Sequence, residues 1–257
     1  MSTPPYPPLR FLIVAFLALL ASAARADLAD TIRQVKPSVV VVGTFDKLRS
    51  PQFVLRGTGF VVGEGRLIAT NHHVVKFDTP PGEGERLAIL VRDGKEATVR
   101  EATLARSNAE HDLAILRVQA PLPPLTLAAD GEAQEGQQVA FMGFPIGEML
   151  GYSPVTHRGI ISSITPIANP GGNERYLTAK SISRLRSGAF DIYQLDATAY
   201  PGNSGGPLFD IDSGKVIGVI NMVLVKGTKE AALTKPSGIS YAIPAKYLAA
   251  LLADAEK

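Results

Sequence analysis

The chain has 257 residues and no cysteine, with 26 lysines and arginines against 24 aspartates and glutamates, a net charge of +2. That excess is too small to mark nucleic acid or an anionic membrane as partner, and the missing thiols exclude disulfides, thiolate metal sites and thiol catalysis. The 24 glycines, 19 prolines and repeated valine and isoleucine runs read as β structure broken by frequent turns.

Residues 1–26 read as a secretory signal peptide: Arg10 precedes an apolar run over 11–20, and small residues lead up to Ala26. The run is short for a bilayer span. Cleavage is expected after Ala26, with Ala23 as second choice. The mature chain is then periplasmic or secreted, and it touches a membrane only if the signal stays uncut. Leu28, Ile32 and Val35 share one face of a short helix that Pro37 ends. Strands are expected over 38–45, 57–63, 66–69, 86–91 and 112–118, and a proline-rich connector starts at 120. A second set follows over 138–143, 155–164, 190–195, 207–209, 216–222 and 239–243, and residues 245–255 pattern as an amphipathic helix.

The expected division is an N-terminal β-domain over 27–120, a connector over 121–134, a C-terminal β-domain over 135–244 and a helix over 245–257. The class is all-β. Two groups of about six strands suit a pair of antiparallel barrels, although periodicity alone leaves a β-sandwich open.

The most informative stretch runs from Pro201 to Leu208, Pro-Gly-Asn-Ser-Gly-Gly-Pro-Leu. Gly202 frees the backbone to turn its N–H groups inward, and Pro207 starts a return strand where its missing N–H costs least. A serine held beside backbone donors has the parts of an acyl-transfer nucleophile with an oxyanion hole. By itself such a turn is common in β proteins. Two further segments change its weight: Thr-Asn-His-His-Val over 70–74 and Asp-Leu-Ala over 112–114. A serine hydroxyl needs a base, and an imidazole titrates in the useful range. The order His…Asp…Ser is that of the chymotrypsin-type triad, not of subtilisin or the α/β-hydrolases.

With those residues in view, the chain resembles the trypsin-like serine proteases of the HtrA (Deg) type over roughly residues 35–248. The resemblance implies two packed six-stranded antiparallel β-barrels with short N- and C-terminal helices. It implies His73 as base, with His72 as spacer, Asp112 as its orienting carboxylate and Ser204 as nucleophile. It assigns the oxyanion hole to the backbone N–H groups of Gly202 and Ser204. The substrate pocket is expected between Thr198, Ala199, Tyr200 and Pro201 on one side and Asn221, Met222 and Val223 on the other. Thr198 sits at the pocket floor, so no acid is placed to select Lys or Arg, and an apolar or small residue is expected before the cut bond. Asn203 is neutral and cannot pair with a freshly cut N-terminal ammonium, as digestive trypsin-like enzymes do with an aspartate. No residue after 257 is expected to supply the PDZ module that many HtrA proteins carry.

The expected activity is hydrolysis of unfolded or misfolded proteins in the cell envelope by a serine endopeptidase. The partners are polypeptide substrates and, optionally, further copies of the chain; no cofactor, no metal and no nucleic acid is expected. Adjacent histidines diverge on extended backbone, which argues against zinc at His72, His73 and Asp112. His111 is expected as an exposed turn residue. The rival reading is a catalytically silent binding protein, or a processing protein for one substrate, on the same scaffold.

Overall fold

The computed structural model describes residues 27–77, 84–93, 96–145, 152–166, 190–222 and 238–257. The signal segment and Val223 lie outside them. Helix α1 (Leu28–Val35) is capped by Asp27, whose carboxylate accepts from Ala29 N–H, and it runs into a 3-10 turn over Lys36–Ser38. Strands β1 (Val39–Phe45), β2 (Phe53–Val62) and β3 (Leu67–Asn71) follow, then the short helix α2 (His72–Val75). Next come β4 (Arg86–Asp93), β5 (Glu96–Glu101), β6 (Thr103–Asn108) and β7 (Leu113–Arg117). The second half holds β8 (Gln138–Gly143), β9 (Val155–Pro166), β10 (Asp191–Asp196), β11 (Pro207–Asp210), β12 (Val216–Ile220), β13 (Ile239–Pro244) and helix α3 (Ala245–Ala255).

The second half closes as a barrel in the order β10-β13-β12-β11-β8-β9. Its long strand β9 pairs with β8 on one side and β10 on the other. The first half does not close. It is a seven-stranded sheet ordered β5-β4-β1-β2-β3-β7-β6, which corrects the expectation of two six-stranded barrels. The reason lies at Ala102, the single residue between the two edge strands. Its N–H donates to Leu87 O, so β5 and β6 run on as one bent stretch, β5 laddering with β4 and β6 with β7, and among the described residues no ladder joins β5 to β6.

The valine run of β1 shows how the halves meet. Val40 and Val42 pack inside the first sheet with Val61, Ile68, Ile89 and Leu116. Their neighbours Val39 and Val41 face the other way, against Met142, Phe144 and Phe209 of the second half. A strand covered on both faces reads as a continuous apolar run rather than an alternation. A further cluster joins Phe60, Leu67, Leu113 and Ile115 to Ile192, Val219, Ile243 and Leu248. The two halves therefore share buried side chains, and the ends of β3, β7, β10 and β12 come together along their junction.

Candidate active site

His73 lies on α2, two residues beyond the end of β3, and Asp112 lies in the turn between β6 and β7. Strands β3 and β7 pair with Asn71 opposite Leu113, so the register alone brings the two segments side by side. Asp112 has φ +52°, a left-handed conformation that aspartate adopts more readily than most residues. Its carbonyl accepts from His72 N–H at 3.0 Å and from Asn71 Nδ2 at 3.1 Å. Its carboxylate accepts from His73 N–H at 2.9 Å through Oδ1, and Oδ2 lies 2.6 Å from His73 Nδ1. Asn221 Nδ2 also donates to Oδ2, at 2.8 Å.

Burial pushes the Asp112 carboxyl upward, but hydrogen bonds and charge from His73 and the amide of Asn221 outweigh it. The net effect holds Asp112 below the ordinary carboxylate range, so it is ionised and only accepts. The proton of a neutral His73 must then sit on Nδ1, which leaves the Nε2 lone pair as a base. That tautomer follows from the charge on its partner.

Ser204 stands on the turn before β11. Its carbonyl accepts from Thr58 N–H at 2.8 Å, which fastens the turn to β2. Its hydroxyl oxygen accepts from Met222 N–H at 3.3 Å. Asn221 and Met222 thus reach the carboxylate of Asp112 and the hydroxyl of Ser204 from consecutive positions. Among the described residues, no hydrogen bond joins Ser204 Oγ to the ring of His73. Resting hydroxyl–imidazole contacts of this kind are often loose and tighten with substrate.

The preceding turn has Pro201 and Gly202 at its centre, with Gly202 at φ +102° and Asn203 N–H closing onto Tyr200 O at 3.0 Å. Those are the features of a type II turn. A Cβ on Gly202 would meet Phe144 O at 2.3 Å, so both conformation and space demand glycine. Among the described residues, the N–H groups of Gly202 and Ser204 have no protein acceptor. Thr58, completely buried, holds the turn from behind: Oγ1 donates to Gly202 O at 2.6 Å and accepts from Phe144 N–H at 3.1 Å.

The other expected pocket residues are only partly together. Ala199 is buried, and its N–H donates to Ser240 Oγ at 2.9 Å. Thr198, Tyr200, Pro201 and Met222 are half-buried. Asn221, expected as a pocket wall, is completely buried with its amide turned to Asp112. His111 is not an exposed turn residue: its ring stacks on Tyr247 at 4.3 Å and meets Phe190 edge-on at 4.7 Å. Among the described residues, no three His, Asp or Glu side chains gather where a metal could bind.

A family profile described as trypsin-like peptidase domain matches residues 57–219. The chain belongs to the trypsin-like peptidases. Serine protease HTRA1B of Danio rerio is 29% identical over 231 residues, covering 88% of this chain and 41% of that protein. A probable periplasmic serine endoprotease, DegP-like, of Chlamydia muridarum is 33% identical over 191 residues, covering 74% of this chain and 31% of the relative. Among solved structures, the HtrA-type protease AlgW with decapeptide superposes with a TM-score of 0.63 at 25% identity, over 90% of this chain and 68% of that one. This trypsin-like peptidase is therefore HtrA-like, and it spans less than half the length of those two curated relatives.

Thr58, Thr70 and Asn71 belong to the site as well. Thr70 Oγ1 donates to Thr58 O at 2.7 Å, tying β3 to the strand that holds the nucleophile turn. Nothing in the sequence distinguishes Thr58 from any other strand threonine.

Proposed function

We propose that this peptidase is a serine endopeptidase acting on polypeptides, with Ser204 as nucleophile, His73 as general base and Asp112 as the group that orients and charge-stabilises the imidazole. Ser204 Oγ rotates from Met222 N–H toward His73 Nε2 as substrate enters, passes its proton there and bonds the scissile carbonyl carbon. The carbonyl oxygen takes the displaced electron pair and is held by the N–H groups of Gly202 and Ser204. Each such donor lowers the barrier by about 2.7–4 kcal/mol. Collapse of the intermediate expels the amine, which takes the proton from His73. A water molecule, deprotonated by the same imidazole, then releases the acyl group.

The observation that carries this reading is the continuous set of contacts from His73 through Asp112 and Asn221–Met222 to the Ser204 hydroxyl. With Thr198 and no acid at the pocket floor, the residue before the cut bond is apolar or small. One relative is named a probable periplasmic serine endoprotease, which favours the periplasm as the place of action; the substrates of this reading are unfolded or misfolded polypeptides, and the working form is a homo-oligomer. The test is a fluorophosphonate probe followed by peptide mapping, together with casein cleavage. Label on Ser204, and loss of both label and cleavage in Ser204→Ala with the fold intact, is the expected result. Label elsewhere, or cleavage surviving in Ser204→Ala, refutes it. A folded, unlabelled wild-type protein returns the silent binding scaffold.

A further inference from the structure

The residue between the two proposed oxyanion donors is Asn203, and it is completely buried. Its main chain is fixed on both sides: N–H donates to Tyr200 O, and its carbonyl accepts from Gly206 N–H at 3.0 Å. Its side-chain amide meets His157 of β9, with Nδ2 3.4 Å from Nε2. Among the described residues, Asn203 Oδ1 has no partner, and it faces Gly143, where a Cβ would stand 2.6 Å away. Turning the amide over would orphan its N–H groups there instead, and buried orphan donors are rarer than under-satisfied carbonyl oxygens. The orientation with Nδ2 toward the imidazole is therefore the better one, and it requires Nε2 to accept.

We infer that neutral His157 is a positioning residue for the nucleophile turn: it holds Asn203, and through it Gly202 and Ser204, and releases them when it gains a proton. An imidazolium has N–H on both nitrogens, so protonation sets donor against donor at that contact. The His157 ring is stacked on Phe141 of β8 at 4.8 Å, and Tyr200 of the turn lies 5.9 Å away. Among the described residues, the groups that face it are Phe141, the ring of Tyr200 and the amide of Asn203. Its strand neighbour Arg158 points to the opposite face and bonds Gln138. Burial lowers the His157 pKa, and no charged group among the described residues opposes it. This inference rests on the protease reading for its consequence, but the contact itself can be measured without activity.

In Ser204→Ala protein, the side-chain amide resonance of Asn203 should titrate with the His157 ring, and the added His157→Gln change should abolish that titration. For the active protein, two protons should shut off kcat/KM at the acid end, a fall of about 100-fold per pH unit, against about 10-fold in His157→Gln with one proton left. His157→Phe, which cannot accept, should lose at least about tenfold in kcat at pH 8 with KM little changed, a modest share of the 10²–10³-fold worth of an oxyanion donor. His157→Gln should restore it, because Gln Oε1 stands in for Nε2. An Asn203 amide that ignores pH overturns the inference, and so does His157→Phe turning over like wild type. Absence of any cleavage or Ser204 label in wild type would sink the protease reading alone, and the Asn203 titration would still decide this one.

Discussion

Replacing Thr58 by Val tests whether the nucleophile turn is held from the first sheet. Valine keeps the volume and the β-branch but removes the hydroxyl that donates to Gly202 O and accepts from Phe144 N–H. Thr58 is fully buried, so no bulk water replaces it. Leaving both main-chain groups unpaired costs about 1–3 kcal/mol each, or about 2–6 kcal/mol if the turn stays where it is. The alternative is for the turn to shift until Gly202 O finds another donor. In that case the Gly202 N–H leaves its place and turnover drops about 10²–10³-fold. The two costs trade against each other, so stability and catalysis must be read on the same sample. The urea midpoint gives the first and peptide cleavage at saturating substrate gives the second. Thr58→Ser restores the hydroxyl and should recover most of both. A Thr58→Val protein within about 0.5 kcal/mol of wild type, the range of an uninvolved surface change, and with unchanged turnover, would refute the reasoning.

His73→Ala should be as damaging to casein cleavage as Ser204→Ala, whereas His72→Ala should keep most activity; the opposite pattern would exchange their roles. Asp112 contributes to the pH dependence of stability with a definite sign. Its folded pKa is depressed, so its contribution is present above the unfolded value of about 3.9 and is lost as pH falls through the folded one. Asn221→Leu removes one donor to Oδ2 and should shrink that depression. Its urea midpoint should fall at pH 6 and by less at pH 3, as the pH drops toward the depressed pKa of Asp112. Equal offsets at both pH values would show that Asn221 acts by packing alone.

Much of the strand order was legible because the buried strands announce themselves. The run at 39–42, the apolar segment after Asp112 and the valines and isoleucines of β12 are covered by other elements, and their composition says so. Strands β5 and β6 were missed for the complementary reason. Apart from Val99 and Ala105, which pack half-buried against the core, their residues are charged, polar or exposed, and they are strands chiefly through ladder bonds to β4 and β7. The open first sheet was invisible for the same cause, since its corner at Ala102 carries no turn signal.

At the site, the glycine-rich turn and the His and Asp motifs were readable because their local chemistry is unusual. The supporting contacts were not. Asn221 was expected in a pocket wall and instead serves Asp112, and His157 meets Asn203 across 46 positions of sequence. Such contacts are set by which strands neighbour each other in space, which a residue type in one strand does not reveal.

The pairing of Asn221 and Met222 makes the segment after β12 more than a boundary of the groove. Its side chain at one position steadies the acid, and its main chain at the next parks the nucleophile. A ligand or neighbouring subunit that tugged this strand end by an ångström would loosen both grips together. Turnover would then respond to a pull on the chain at a point that never touches the scissile bond.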